Sequence, residues 1–340
     1  MNRLVLIDGN AVLHRAYHAL PPLTAPDGRV VNAVYGFTSM LLKIITDLRP
    51  THLAVAFDRP KPTFRKELFE KYQATRPKMD EELVGQIGPV HEVIGAFGIP
   101  VFEMDGFEAD DIIGTLCRQI LNPKSLPSRQ AGKILNKTKV DQVIIVTGDR
   151  DILQLVQDDK VLVYMPTKGL SEAKLYGEKE VKERLGVTPK QVVDYKALAG
   201  DASDNYPGVA GIGPKTAQAL LAKFGTVQKL YEALAAGSSA AKNIPEMQKE
   251  RLVSDKENAF LSRMLAAIKT DVPLDVDFGT IALGDVNTPE ARAELTKLGF
   301  MTLLRRVMGE TGKPAKKEKK ELKKKGESFA SAQGKQQELF

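Results

Sequence analysis

The chain has 340 residues, 43% of them hydrophobic, and a formal net charge of +6; this is an ordinary globular composition, long enough for two domains or one large one. No apolar stretch reaches the length that spans a bilayer, and the N-terminus opens as a strand rather than as a charged segment leading into an apolar signal region, so a cytoplasmic protein without a membrane partner is expected. The lone Cys117 cannot form an internal disulfide, and its place in the apolar helical pattern Ile112, Ile113, Leu116, Ile120 makes it a packed thiol.

Leu4 to Ile7 is a strand-like apolar run that stops at Asp8. A helical pattern follows from about Val31 to Leu48, and then a second strand, Leu53 to Phe57, stops at Asp58. The segment Arg59 to Lys78 interleaves seven cations, Arg65, Lys71 and Arg76 among them, with Phe64, Phe69 and Tyr72. Cations beside stacking rings equip a protein for single-stranded nucleic acid, although the pattern also fits a solvated helix with its phenylalanines in the core. A helix around Met79 to Phe97, a short strand near Val101 and a helix from Glu108 precede a third strand, Val143 to Val146, with Asp149 and Asp151 just beyond it. Strands alternating with helices over residues 1–165 predict an α/β layer fold with a mainly parallel sheet, whose functional crevice lies outside the carboxyl ends of the strands. Within it, Asn122 to Lys139 reads as an inserted basic loop.

From residue 166 to about 310 the texture becomes helical, with Gly and Pro punctuation between Gly200 and Pro214. The lysine-rich stretch 311–340 is expected to be disordered. It carries nine lysines and four glutamates, or +5, which leaves about +1 on the body. The body must therefore segregate its charges, as a phosphodiester-handling protein does when basic groups hold a backbone beside an acidic cleft.

Nine carboxylates carry the chemistry. Asp8, Asp58, Asp149 and Asp151 follow strands, while Glu108, Asp110, Asp111, Asp201 and Asp204 come in close-spaced groups in which Glu108/Asp111 and Asp201/Asp204 share a helix face. Carboxylates are hard ligands suited to Mg²⁺ or Mn²⁺, and no Cys/His cluster makes a case for zinc. Two such ions can activate a water and stabilise the leaving oxygen of a phosphodiester displacement. Any single strand-end aspartate is better read as a helix cap; the set of nine favours metal. His14 and His18 share a helical face, but no nucleophile motif accompanies them, which argues against a covalent mechanism.

Gly208, Gly211 and Gly213 lead into Pro214, Lys215 and Thr216 and then a helical run. Pro214 suits a first helical turn. The spacing imitates a P-loop, but a proline precedes the lysine and no apolar strand leads in, so ATP binding is rejected; the dinucleotide reading fails on the same context. What remains is a tight turn whose N–H groups and helix N-terminus can hold a phosphate, or an ordinary helix-helix turn.

Taken together, Val5-Leu6-Ile7-Asp8-Gly9, Arg15-Ala16-Tyr17-His18, Ala56-Phe57-Asp58, Phe64-Arg65, Gly106 to Asp111, Thr147 to Asp151, Gly200 to Asn205 and Gly208 to Gly213 resemble the 5'-to-3' exonuclease (flap endonuclease) domain of bacterial DNA polymerase I. The resemblance runs to about Met308. It implies a PIN-like fold followed by a helical region with a helix-hairpin-helix DNA-binding motif, and Mg²⁺-dependent cleavage, with Mn²⁺ able to substitute, of 5' flaps and primers in replication and repair. It further implies that Asp8, Asp58, Glu108, Asp110 and Asp111 hold one ion and Asp149, Asp151, Asp201 and Asp204 a second. Arg15, Tyr17, Arg65, Tyr72 and Arg76 would steer the 5' strand, Gly208, Gly211, Gly213 and Lys215 would grip duplex DNA, and the backbone carbonyls of Gly208 to Gly213 would hold a K⁺ ion. A bacterial, nucleoid-associated monomer is implied.

Three departures stand out. The lysine that usually follows the tyrosine at Tyr72 is Gln73 here, so its role is expected to fall to Lys71 or Arg76. The 122–139 loop is longer than the family's connection. The chain also stops where the family continues into proofreading-like and polymerase domains, so either a free-standing nuclease or a fragment is expected. The last residues, Gln336 to Phe340, resemble the peptide with which bacterial replication proteins grip the sliding clamp; the alternative is a tail end without a partner. Two other functions stay open, a non-catalytic DNA-junction binder tethered to that clamp and a PIN-type ribonuclease, the latter opposed by the hairpin.

Overall fold

The computed structural model describes residues 1–122, 140–168 and 172–310. The insertion beyond Asn122, the lysine-rich tail and the clamp-like peptide Gln336 to Phe340 lie outside the described residues. β1 (Arg3–Asp8), β2 (His52–Ala56) and β4 (Gln142–Val146) are the three apolar runs of the sequence, joined by β3 (Val101–Phe102), β5 (Val161–Lys168) and β6 (Glu172–Tyr176). The sheet order is β3-β2-β1-β4-β5-β6, parallel except for the β5–β6 pair. β5 and β6 carry the sheet past residue 165 to Tyr176.

The strand runs are continuous in hydrophobicity because both faces are covered, and successive side chains alternate between two cores. Val5, Ile7, Leu53, Val55, Ile144 and Val146 pack against α1 (Gly9–Ala19), α2 (Asn32–Leu48) and α4 (Glu81–Ala96). Leu4, Leu6, Ala54, Ala56, Val143 and Ile145 face α5 (Ala109–Leu121) and the helices between residues 192 and 266. Between β2 and α4 the basic aromatic segment forms one short helix, α3 (Phe64–Leu68), and then a series of turns.

The helical region does not stay apart from the sheet. Its last two helices, Pro289–Lys297 and Met301–Val307, return to the first core through Leu295, Leu298 and Leu303. Thr288 Oγ1 donates to the Ala96 carbonyl at 3.0 Å, and Phe300 meets Tyr35 edge-on at 5.1 Å between centroids. Cys117 lies in the other core, where burial pushes its thiol up to about 12 and leaves it inert. Among the described residues no helix is long and apolar enough to cross a membrane.

Candidate active site

The direction in which the strands are added reverses between β1 and β4: the chain builds outward from β1 to β2 and β3, then returns to place β4 on the other side. A crevice opens outside the carboxyl ends at such a point. Asp8 ends β1, and Thr147, Gly148 and Asp149 follow β4. The two segments are tied across the crevice by Thr147 Oγ1, which donates to Asp8 Oδ2 at 2.7 Å. A cleft of about 780 Å³ occupies this edge.

Helix starts deliver the acids. Asp8 caps α1 by accepting from the Ala11 N–H at 2.9 Å, and Asp58, one step beyond Phe57, accepts from the Ala109 N–H at 2.7 Å at the first turn of α5. Glu108 and Asp110 flank that same turn. Each helix N-terminus supplies partial positive charge where the acids gather. Asp149 and Asp151 sit at the 3₁₀ turn Asp151–Leu155, with the Asp151 N–H donating to Asp149 Oδ1 at 2.8 Å. Asp201 and Asp204 come from the turn after the helix Val192–Ala199, where Asp201 accepts from the Ser203 N–H at 2.8 Å. Asp8, Asp58, Glu108, Asp110, Asp149, Asp151 and Asp204 all line the cleft. Asp151, Asp201 and Asp204 bring oxygens within 4.8 Å of one another.

So many carboxylates in one place resist ionisation. Burial, then Asp58 and Asp149, pushes Asp8 up to about 7; burial, with Asp58 and Asp111 adding to it against Arg65, takes Glu108 to about 7. Asp110 is raised well above the carboxylate range by burial, Asp149 and Asp8. Asp151 rises to about 7 through burial and Asp149 despite its bond to Lys196, and burial also raises Asp58 and Asp204. Asp201 differs: burial opposes its ionisation, but Lys196 and Ser203 outweigh burial and hold it at about 2. A donor set of hard oxygens that repel one another fits divalent oxygen-seeking ions.

The same cleft is also lined by cations, Arg15, Arg59, Lys61, Lys66 and Arg76, together with His14. Arg15 donates to the Pro166 carbonyl at 2.9 Å, and Arg76, half-exposed, donates to Asp204 Oδ1 at 2.7 Å. Gln73, in the left-handed region at φ 54°, also clasps Asp204: its N–H donates to the Asp204 carbonyl at 2.9 Å and its amide to Oδ1 at 3.2 Å. Of the two cations expected to replace the family's lysine, Arg76 lines the cleft, while Lys71 is exposed outside it, its carbonyl accepting from Asn205 at 2.7 Å.

Several expected site residues stand elsewhere or are already engaged. Asp111 is fully buried behind the cleft wall, with both oxygens accepting from the Arg65 guanidinium at 2.7 and 2.8 Å. Arg65 reaches the cleft but is 3% exposed, and it also donates to the carbonyls of Leu265 and Ala267, so it is not presented to a strand in solution. Tyr72 is 4% exposed and donates to Glu108 Oε2 at 3.2 Å, which makes it part of the carboxylate support rather than a stacking ring. Phe64 packs on Phe107, and Tyr17 faces Asp80 and Glu82 outside the cleft. Sequence reasoning missed Lys196, which bonds to both Asp151 and Asp201. A lysine leading into the apolar run Ala197-Leu198-Ala199, five residues before Asp201, was the available signal.

The glycine turn leads into the helix Pro214–Phe224. Gly208 has φ 62°, and a Cβ there would lie 2.3 Å from the Gly200 backbone nitrogen; Gly211 has φ 73°, and its Cβ would lie 1.7 Å from the Arg251 guanidinium. Gly208 needs glycine for conformation and for close approach to the backbone, Gly211 for its conformation, since the Arg251 side chain can swing away. Gly213 precedes the helix in an ordinary extended conformation, and Lys215 is exposed on its first turn.

Residues 3–186 match the model of the 5'-3' exonuclease N-terminal resolvase-like domain, and residues 187–289 that of the 5'-3' exonuclease C-terminal SAM fold. DNA polymerase I of Bacillus subtilis is 39% identical over 305 residues, covering 90% of this chain and 32% of the relative. DNA polymerase I of Bacillus caldotenax is 40% identical over 322 residues, covering 95% and 34%. The chain thus spans about a third of these relatives' length. The fold resembles that of a bacteriophage T5 flap endonuclease variant in complex with DNA and metal ions (TM-score 0.61, 18% identity, 91% of this chain and 98% of that one). It also resembles the catalytic core of Rad2 in complex with DNA substrate (TM-score 0.56, 17% identity, 90% and 92%). The two family models cover the sheet and the helical region in succession and meet across the carboxylate edge; the chain belongs to the 5'-3' exonuclease family and is a metal-dependent nuclease.

Proposed function

We propose that the cleft hydrolyses DNA phosphodiester bonds at 5' flaps and 5' ends with two Mg²⁺ ions, Mn²⁺ serving in their place, and that the protein acts in primer removal and repair. The observation that carries this reading is the convergence of seven carboxylates from β1, β2, α5, β4 and the Asp201–Asp204 turn on one cleft that cations also line. Divalent ions, when bound, supply charge to both the attacking water and the leaving oxygen. Asp8, Asp58, Glu108, Asp110 and Asp149 are the residues to hold one ion, and Asp151, Asp201 and Asp204 the other.

The chain's own residues do the rest. Arg76, Arg15 and Lys66 neutralise backbone phosphates entering the cleft. Tyr72 and Thr63, donating to the two oxygens of Glu108 at 3.2 Å each, fix the orientation of that carboxylate. Thr147 does the same for Asp8. Gly208 to Lys215 offers backbone N–H groups and a helix N-terminus to the duplex phosphate, and the hairpin carbonyls suit K⁺. A gel assay on a 5'-labelled flap, run with Mg²⁺ and with chelator, tests the reading: wild type should release the flap only with the ion, and Asp8→Asn should bind but not cut. Junction binding without product in Mg²⁺ or Mn²⁺ would indicate a non-catalytic binder, and preferential cleavage of matched RNA a ribonuclease.

A further inference from the structure

Asp151, Asp201 and Asp204 lie close enough to share one ion, yet the chain already supplies them with cations. The Lys196 ammonium, on a side chain 12% exposed, bonds to both Asp151 Oδ1 and Asp201 Oδ2, and Arg76 holds Asp204. The contrast with the other acids is sharp. Among the described residues the recorded ion pairs put no lysine or arginine on Asp8, Asp110 or Asp149. The cluster also contains a buried hydroxyl without a hydrogen-bond partner, that of Tyr206, which is 3% exposed and lies in the field of the same three aspartates. An orphaned donor beside a charged group is what a site completed by a bound ligand leaves among its side chains.

We propose that Lys196 is the resident counter-cation of this cluster, and that a divalent ion enters it by exchange, displacing the ammonium from Asp151 and Asp201. The proposal rests on the divalent-ion reading of the cleft given above and adds how one half of it is loaded. Three enclosed carboxylates without compensation would drive the turn apart, since a buried charge that loses its partner is strongly destabilising. A lysine suits the task better than an arginine: its ammonium is a compact charge with three rotatable donors on a flexible stem, so stem rotation releases it, whereas a guanidinium fork is fixed to its carboxylate. Arg65 on Asp111 is that fixed case, with four bonds to the protein. Because Lys196 must leave Asp151 and Asp201, whereas no lysine or arginine must leave Asp8, Asp110 or Asp149, the two ions bind unequally. The second ion is the weaker, and its concentration sets when the cleft is fully loaded.

The test is Mn²⁺ binding to the chelator-stripped full chain without DNA, followed by calorimetry and by the electron paramagnetic resonance of free ion. Wild type should show two classes of site, the weaker lost in Asp201→Asn. In Lys196→Met the weaker class should tighten by about tenfold or more, the scale of a charge-assisted hydrogen bond, while the tighter class stays put; Lys196→Arg should not tighten it. A weaker class that is unchanged or weakened in Lys196→Met overturns the exchange. Wild type that binds no Mn²⁺ would instead overturn the ion reading, and the exchange with it. The unaltered protein gives a second readout that no folding defect can confuse: acetylation of Lys196, followed by mass spectrometry, should rise several-fold when Mg²⁺ replaces chelator. Equal or reduced labelling would refute displacement.

Discussion

Asp111→Asn separates a ligand from a strut. The Asp111 carboxylate accepts from two nitrogens of Arg65, from the Glu108 N–H at 3.1 Å and from the Lys269 N–H at 2.8 Å, and is itself fully buried. Arg65 in turn holds the carbonyls of Leu265 and Ala267. The pair therefore locks α3, the start of α5 and the end of the helix Lys256–Ala266 together. An asparagine keeps the shape but turns an amide N–H₂ toward the guanidinium and removes the countercharge. Removing one partner of a buried pair typically destabilises by about 3–5 kcal/mol. Glu108, 3.3 Å from Arg65, retains part of the compensation, so the lower end of that range, about 3 kcal/mol, is expected. Urea unfolding in chelator should show the midpoint falling by that amount with an unchanged slope. Were Asp111 instead a metal ligand, the substitution would relieve repulsion in the ion-free protein. An unaltered or raised midpoint in chelator, accompanied by lost cleavage, would refute the reasoning.

Three further outcomes follow from the same geometry. Asp8, Glu108 and Asp151 have folded values near 7, above their unfolded ones, so the native protein binds more protons between about 4 and 7 and loses stability as pH rises through 7; His14 and His52, both lowered by burial, oppose this below about 6.5. Melting curves from pH 5.5 to 8 should accordingly fall with pH in chelator and flatten with saturating Mg²⁺, and identical slopes would contradict the carboxylate assignment. Asp110→Asn should raise the melting temperature in chelator at pH 8, because burial, Asp149 and Asp8 all oppose the ionisation of Asp110, while losing flap cleavage in Mg²⁺; a stability loss would show that Asp110 is held by bonds rather than tolerated. Gly211→Ala, with φ 73° and a Cβ 1.7 Å from Arg251, should lower stability by about 1–3 kcal/mol and weaken duplex binding in gel shift more than it slows cleavage of bound DNA.

The parts of the fold that the sequence exposes are those whose local pattern and tertiary role coincide. β1, β2 and β4 are legible because a strand buried on both faces must be apolar throughout, and the acid that stops each run is also the residue that reaches the crevice. β6 is not, because Glu172–Tyr176 is a largely exposed edge strand without a hydrophobic run. Nor does periodicity tell on which face a helix docks, so Met301–Val307, in the helical half of the sequence, gives no sign that it returns to the first core. The same limit applies in the site. Arg65 and Asp111 each fit a functional pattern alone, and only their pairing across 46 residues reveals a buried strut. Lys196 is the converse case, a residue in no motif whose meaning comes from Asp151, 45 residues away.

The carboxylate edge is held together by three unlike means, and their distribution sets its two sides apart electrostatically. Helix N-termini and backbone N–H groups serve Asp8 and Asp58. Arginines serve Asp111 and Asp204, and the releasable Lys196 ammonium serves Asp151 and Asp201. Asp110 has no partner among the side-chain hydrogen bonds and ion pairs of the described residues, and burial, then Asp149 and Asp8, oppose its ionisation. Dipoles of a helix end amount to about half a charge, too little to offset several carboxylates, so the Asp8–Asp110–Asp149 side remains net acidic and draws divalent ions strongly. The Asp151–Asp201–Asp204 side sets two cations, Lys196 and Arg76, against three acids and draws them less strongly. The asymmetry lies in which acids were given a cation of their own, and not in the number of oxygens each side presents.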